Sequence, residues 1–174
     1  MKLHMLFEQT LFNKVEHADI IKDVDIFLSN TKQDLKPSTI DFLKSKNPNN
    51  GFITVYRVIY SNNLEELAKQ LSVDKIQVNA HVIHSAQRVS SWSASKSAVI
   101  ELAEENDDLG DFAVVLKTTV EQSFVVLNTT MLSIGDLELL RNGHAGLIQV
   151  IKDQKEVILD KASYECQIIE IIAH

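Results

Sequence analysis

Cysteine is nearly absent: Cys166 is the single one among 174 residues. No disulfide can form within the chain, and no zinc site built on cysteine exists. Cys166 lies in the run Tyr164-Glu-Cys-Gln-Ile-Ile-Glu-Ile-Ile172, where a buried structural thiol is expected rather than a nucleophile. Positive charge is scarce too. The chain has 17 Lys and Arg against 24 Asp and Glu, a formal net charge of −7, which argues against charge-driven binding to DNA, RNA or anionic lipid. That balance does not exclude an enzyme that takes one nucleotide into a small pocket. No apolar run approaches the ~20 residues needed to span a bilayer, and Glu8 interrupts the N-terminus too early for a signal-peptide core. The expected location is therefore the cytoplasm, with no membrane partner. A Gly-x-Gly-x-x-Gly fingerprint and a Walker loop are both missing, which disfavours a Rossmann or P-loop site. His81, His84 and His144 lack carboxylate or cysteine partners at ligand spacing, so no metal is expected and these histidines read as surface or internally satisfied groups. The chain contains no internal repeat and no low-complexity segment.

What is present is an ordinary globular composition, 45% apolar and 24% charged, at a length suited to one domain spanning residues 1–174. Residues 1 to about 45 read as a helical region. Leu6, Phe7, Leu11, Phe12 and Val15, and then Ile20, Ile21, Val24, Ile26, Phe27 and Leu28, recur near helical spacing. Pro37-Ser38-Thr39 opens a short helix over Ile40 to Leu43, with Ser38 or Thr39 as its cap. Lys46-Asn47-Pro48-Asn49-Asn50-Gly51 is the strongest breaker. After it, strands are expected over Phe52–Tyr60, Ile76–Val82, Phe112–Val120, Phe124–Leu127, Leu147–Ile151, Glu156–Leu159 and Tyr164–Ile172. Helices are expected over Asn63–Leu71, capped by Asn62 or Asn63, and over Ser93–Glu104, with a short helix or turn at Ile134–Leu140. Asp107-Asp108 reads as part of a solvated loop. A helical opening followed by many strands is an α+β pattern.

Three short signals occur in order. Val55-Tyr56-Arg57-Val58-Ile59 places an arginine in the middle of an apolar strand. Ser91-Trp92-Ser93-Ala94-Ser95 is a serine cluster before a helix. Gln154-Lys155-Glu156-Val157-Ile158-Leu159 is a polar turn running into a strand. Each has a plain reading by itself: a long side chain lying along a sheet, a helix N-cap and a solvated hairpin. Taken together and in this order, they resemble the Arg-Ser-Glu class of mono-ADP-ribosyltransferases. The likeness is nearest to the small phage and bacterial toxin-type members that carry a Gln-x-Glu motif. It spans residues 52–174 and departs from the family at two places: Val58 stands where glycine usually follows the arginine, and Ala94 stands for the middle hydroxyl of a Ser-Thr-Ser motif.

The resemblance implies an α+β, ADP-ribosyltransferase-like fold with two packed, mainly antiparallel β-sheets over residues 52–174, behind the N-terminal helical region. It implies NAD as co-substrate and a macromolecular acceptor, either Asn or Gln of a protein or a nucleic-acid base. Arg57 would grip the pyrophosphate, since a guanidinium fork matches paired oxygens. Glu156 would stabilise the oxocarbenium-like charge that develops on the ribose when nicotinamide leaves. Ser93 would donate a hydrogen bond that holds Glu156 in place. Gln154, two residues before Glu156 on an extended segment, would project to the same side and position the acceptor. Ser95 completes the serine motif, and Trp92 serves either the nicotinamide pocket or the core. An NAD glycohydrolase using the same site and a catalytically silent binding module are the alternatives. A phage-encoded host modifier or a toxin of a bacterial defence system, with an antitoxin or inhibitor partner, fits the family.

Overall fold

The structure is a computed structural model that describes residues 10–29, 34–47, 50–86, 89–140 and 145–174. Among the described residues two helices, α1 (Ala18–Ser29) and α2 (Pro37–Lys46), precede the first strand. There follow β1 (Phe52–Ser61), α3 (Leu64–Gln70), β2 (His81–Ser85), β3 (Val89–Ser93) and α4 (Lys96–Glu105). Next come β4 (Phe112–Glu121), β5 (Val125–Asn128), α5 (Ile134–Leu139), α6 (Ala145–Gln154), β6 (Glu156–Asp160) and β7 (Ser163–Ala173). The chain is thus α+β, as its patterning predicts.

The seven strands form one antiparallel sheet in the order β2-β7-β4-β1-β3-β6-β5, where two packed sheets were expected. Its two halves are joined thinly. β1 and β4 pair along ten residues, from Phe52↔Glu121 to Ser61↔Phe112, and β3 and β6 pair over five. Between the halves, β1 meets β3 at the single pair Tyr56↔Ser93. The halves also pack on each other. Trp92 of β3 lies 4.7 Å from Tyr164 of β7, ring to ring, and the Ser90 hydroxyl is 3.0 Å from the Tyr164 hydroxyl. The main core fills the space between them with Val55, Leu67, Val82, Leu116, Leu159 and Ile168. A second core packs Val24 and Phe27 of α1 and Ile40 and Leu43 of α2 on Val126, Leu127 and Ile158. A third sets Val99 and Ala103 of α4 against Ala113 and Val115 of β4.

Several local expectations shift. In the N-terminal region, Leu6 and Phe7 lie outside the described residues, and Leu11, Phe12 and Val15 precede the first helix. The Leu11 and Phe12 amides are fastened by the Asp136 carboxylate instead. Helix α2 starts at Pro37, with Lys36 as N-cap and no side-chain cap, because proline is well placed in a first turn where its missing N–H costs nothing; neither Ser38 nor Thr39 caps it. Asn63 does cap α3, accepting from the Glu65 and Glu66 amides. The expected strand at Ile76 begins only at His81, where pairing with β7 starts. Helix α4 begins at Lys96 because Val89–Ser93 is committed to β3. Leu147–Ile151, rich in β-branched residues, is part of helix α6. The helical turn sets Ile148 and Ile151, three apart, inward and leaves Gln149 and Val150 exposed between them; burial of one helical face overrides strand propensity.

Candidate active site

Because β1 and β3 share a single rung, they part beyond it. β1 runs on to Arg57 and Val58, and β3 runs back to Trp92 and Ser91. A cavity of about 450 Å³ opens there, and its walls include Tyr56, Arg57, Val58, His84, Ser90 to Ser93, Gln154 and Glu156. Four of the six residues singled out in the sequence as catalytic or NAD-binding, Arg57, Ser93, Gln154 and Glu156, therefore converge. Trp92 joins them in the wall but is only 2% exposed and belongs to the core. Its indole N–H donates to the Ser90 hydroxyl at 2.9 Å. Ser95 does not line the cavity; it caps α4 by accepting from the Ala98 amide at 3.3 Å.

Arg57 is half-buried, and burial lowers its pKa from the usual arginine value. One guanidinium N–H donates to the Ser91 carbonyl at 3.2 Å, across the opening between β1 and β3. The guanidinium also lies over the Trp92 ring, 5.8 Å from its centroid. Among the described residues the one ion pair joins Lys44 to Asp160, so no described carboxylate neutralises Arg57. A guanidinium stays charged even when partly desolvated, which makes this wall of the cavity suited to an anion.

The cavity lining also includes a carboxylate. Glu156 is the first residue of β6 and is 7% exposed. Its carboxylate accepts a hydrogen bond from the Ser91 hydroxyl, and its carbonyl accepts one from Thr129 Oγ1 at 3.0 Å. Ser91, not Ser93, is therefore the serine that holds the carboxylate. Both share a face of β3 by strand alternation, so the sequence alone does not distinguish them; the contact that follows β3 does. Ser93 is the last residue of the strand, and its hydroxyl donates to the Gln154 carbonyl and accepts from the Ser95 amide at 3.0 Å.

Gln154 reaches the cavity by a route other than the expected one. It is the last residue of α6, and Lys155 follows in the left-handed region with φ 47°. Gln154 and Glu156 thus flank a helix-to-strand turn rather than alternate along one extended segment. The turn, not the strand period, brings both side chains to one cavity.

His84 is the residue to which the sequence assigned no place in the site. It lies in the cavity wall, 5.9 Å from Trp92 and 6.4 Å from Tyr164, ring to ring. Its Nε2 is buried without a hydrogen-bond partner, so it is neither the surface histidine nor the internally satisfied one expected. Burial, and then the charge of Arg57, push its pKa down to about 4. With its pKa lowered, the imidazole is neutral at physiological pH. His81 is exposed, and His144 lies outside the described residues. Cys166 is buried, and burial pushes its thiol up to about 12, which removes it as a nucleophile. Among the described residues no three His, Cys, Asp or Glu side chains are grouped as metal ligands, and no helix is long and apolar enough to cross a membrane.

Compared with known proteins, the chain matches no family model, no curated protein and no solved structure.

Proposed function

We propose that this chain is a mono-ADP-ribosyltransferase that cleaves NAD and transfers ADP-ribose to a macromolecular acceptor, with the sheet split between β1 and β3 as an ADP-ribosyltransferase-like cleft. The observation behind this reading is the meeting of Arg57, Gln154 and Glu156, from β1, α6 and β6, in one cavity. The cavity volume lies within the range of roughly 300–1,000 Å³ typical of small-molecule sites.

The residues present fit NAD. A half-buried guanidinium without a described carboxylate partner suits a diphosphate. A buried carboxylate fixed by a serine suits a ribose on which positive charge develops. When bound, NAD supplies a glycosidic bond to a cationic leaving group, so cleavage shifts charge onto the sugar rather than requiring a strong nucleophile. Glu156, held by Ser91, stabilises that charge without reorganising. Arg57, held against Ser91 and Trp92, fixes the anionic part of the substrate. Gln154, exposed at the rim, presents an amide that donates and accepts, as an amide or nucleobase acceptor requires.

The test uses NAD labelled in its adenine half, incubated with the protein in a bacterial lysate, with protease and nuclease controls. Transfer predicts label on protein or nucleic acid. Nicotinamide release without macromolecular label identifies an NAD glycohydrolase. If nicotinamide is not released and NAD does not raise the melting temperature, the reading is wrong.

A further inference from the structure

The two serines of β3 hold different parts of the site. Ser91 fastens the Glu156 carboxylate. Ser93, 8% exposed, fastens the backbone that precedes it. Its hydroxyl donates to the carbonyl of Gln154 and accepts from the amide of Ser95 at 3.0 Å. Beside it, the Ala94 amide donates to the Lys155 carbonyl at 2.9 Å. The turn between β3 and α4 is thereby joined to the turn between α6 and β6.

That second turn needs holding. Lys155 carries a side chain in the left-handed region, φ 47°, a conformation that persists when its surroundings over-determine it. Its amide closes the end of α6 on the Ile151 carbonyl at 3.1 Å. The carbonyls at the end of a helix have no partner further along it, and Ser93 and Ala94 satisfy those of Gln154 and Lys155. Loss of the Ser93 hydroxyl frees the Gln154 carbonyl and the Ser95 amide together, but leaves Ser91 on Glu156.

We propose that Ser93 is a positioning residue for Gln154: by fixing the main chain at the end of α6, it sets where the Gln154 amide presents an acceptor, and so sets the ratio of transfer to hydrolysis. This rests on the transferase reading above. Water needs no placement by Gln154, whereas an acceptor does, and group transfer between two bound partners is steeply sensitive to orientation.

The experiment compares Ser93→Ala, Ser93→Thr, Ser91→Ala and Gln154→Ala. Label transfer from adenine-labelled NAD is measured in bacterial lysate, and nicotinamide release is measured with NAD alone. Ser93→Ala is expected to lower transfer by on the order of tenfold or more while release changes less than about threefold, following Gln154→Ala. Ser93→Thr, which keeps the hydroxyl, restores the ratio. Ser91→Ala lowers both activities together. Equal loss of both in Ser93→Ala, or an unchanged ratio, overturns the proposal. Amide exchange provides a readout that does not depend on activity: in Ser93→Ala the amides of Ala94, Ser95 and Lys155 are expected to exchange faster, with the amides of β4 unchanged. Unchanged exchange at those three sites shows that there is no clamp. A wild-type protein that releases no nicotinamide refutes the transferase reading, and the exchange result then reports on the clamp separately.

Discussion

Asp136 offers a stability prediction that depends only on geometry. It is 1% exposed and accepts four hydrogen bonds. Two are local: the Ser133 amide at 3.2 Å and the Ser133 hydroxyl at 2.7 Å, in the capping box of α5. Two come from the other end of the chain: the Leu11 amide at 3.0 Å and the Phe12 amide at 2.8 Å. Phe12 packs in the core shared with Phe27 of α1, and Phe27 lines the cavity. One carboxylate thus ties the segment before α1 to the half of the sheet that carries Glu156. In Asp136→Ala the cap contributes a loss of about 1 kcal/mol. The two charge-assisted bonds from Leu11 and Phe12 add about 1.5 kcal/mol each at the low end of their range. The expected total is about 4 kcal/mol, which for a chain of this size lowers Tm by about 8–16 °C. Ser133→Ala removes the local hydroxyl alone and is expected to cost about 1 kcal/mol. Urea unfolding of both variants, read at constant m, measures the difference. If Asp136→Ala is no less stable than Ser133→Ala, the long-range contacts contribute nothing and the fastening of Leu11 and Phe12 is refuted.

Three further outcomes are expected. Glu156→Gln keeps the size and hydrogen bonding of the side chain but loses its charge, so nicotinamide release should fall by about 10²–10³ or more while calorimetric NAD binding persists; near-normal turnover would rule Glu156 out. Arg57→Lys keeps the charge and loses the fork, and the loss of one charge-assisted hydrogen bond of about 1.5 kcal/mol should weaken NAD binding on the order of tenfold; equal affinity would show that Arg57 does not hold the diphosphate. His84 titrates near 4 in the folded protein and near 6.5 when unfolded. On acidification the unfolded chain takes up the proton first, so stability is full above about pH 6.5 and is lost as pH falls toward 4. The partly exposed ring limits the difference to about 1 kcal/mol at pH 5, and His84→Gln should remove that part of the pH dependence in paired urea melts at pH 7 and pH 5. An unchanged slope would show that His84 is not the titrating group.

Much of the architecture is legible in residue pattern. The Phe52–Tyr60 run, the apolar stretch from Phe112 and the C-terminal stretch from Tyr164 each carry enough β-branched and aromatic residues to become β1, β4 and β7. Asn63 ahead of two glutamates marks the start of α3, because capping is chemistry local to the chain. Arg57, Gln154 and Glu156 can likewise be named from the sequence, but only through the order of three motifs and the family resemblance they carry, since each by itself has a plain reading. Tertiary structure decided the rest. Residues 147–151 read as strand by composition, yet are helix: a helical turn sets Ile148 and Ile151 inward with Gln149 and Val150 exposed between them, whereas strand alternation would put Gln149 on the face of Ile151. Ser91 and Ser93 are equivalent along the strand, and only the arrival of α6 beside Ser93 assigns one to a carboxylate and the other to a carbonyl. His84 is unremarkable in sequence; packing against Trp92 and near Arg57 is what lowers its pKa. The split between β1 and β3 is likewise a property of pairing, and pairing across distant segments is not written in any local run of residues. The sequence by itself therefore determined which residue types are available for chemistry, through local propensity and polarity, and tertiary packing decided which of them meet, because that depends on contacts between segments far apart in the chain.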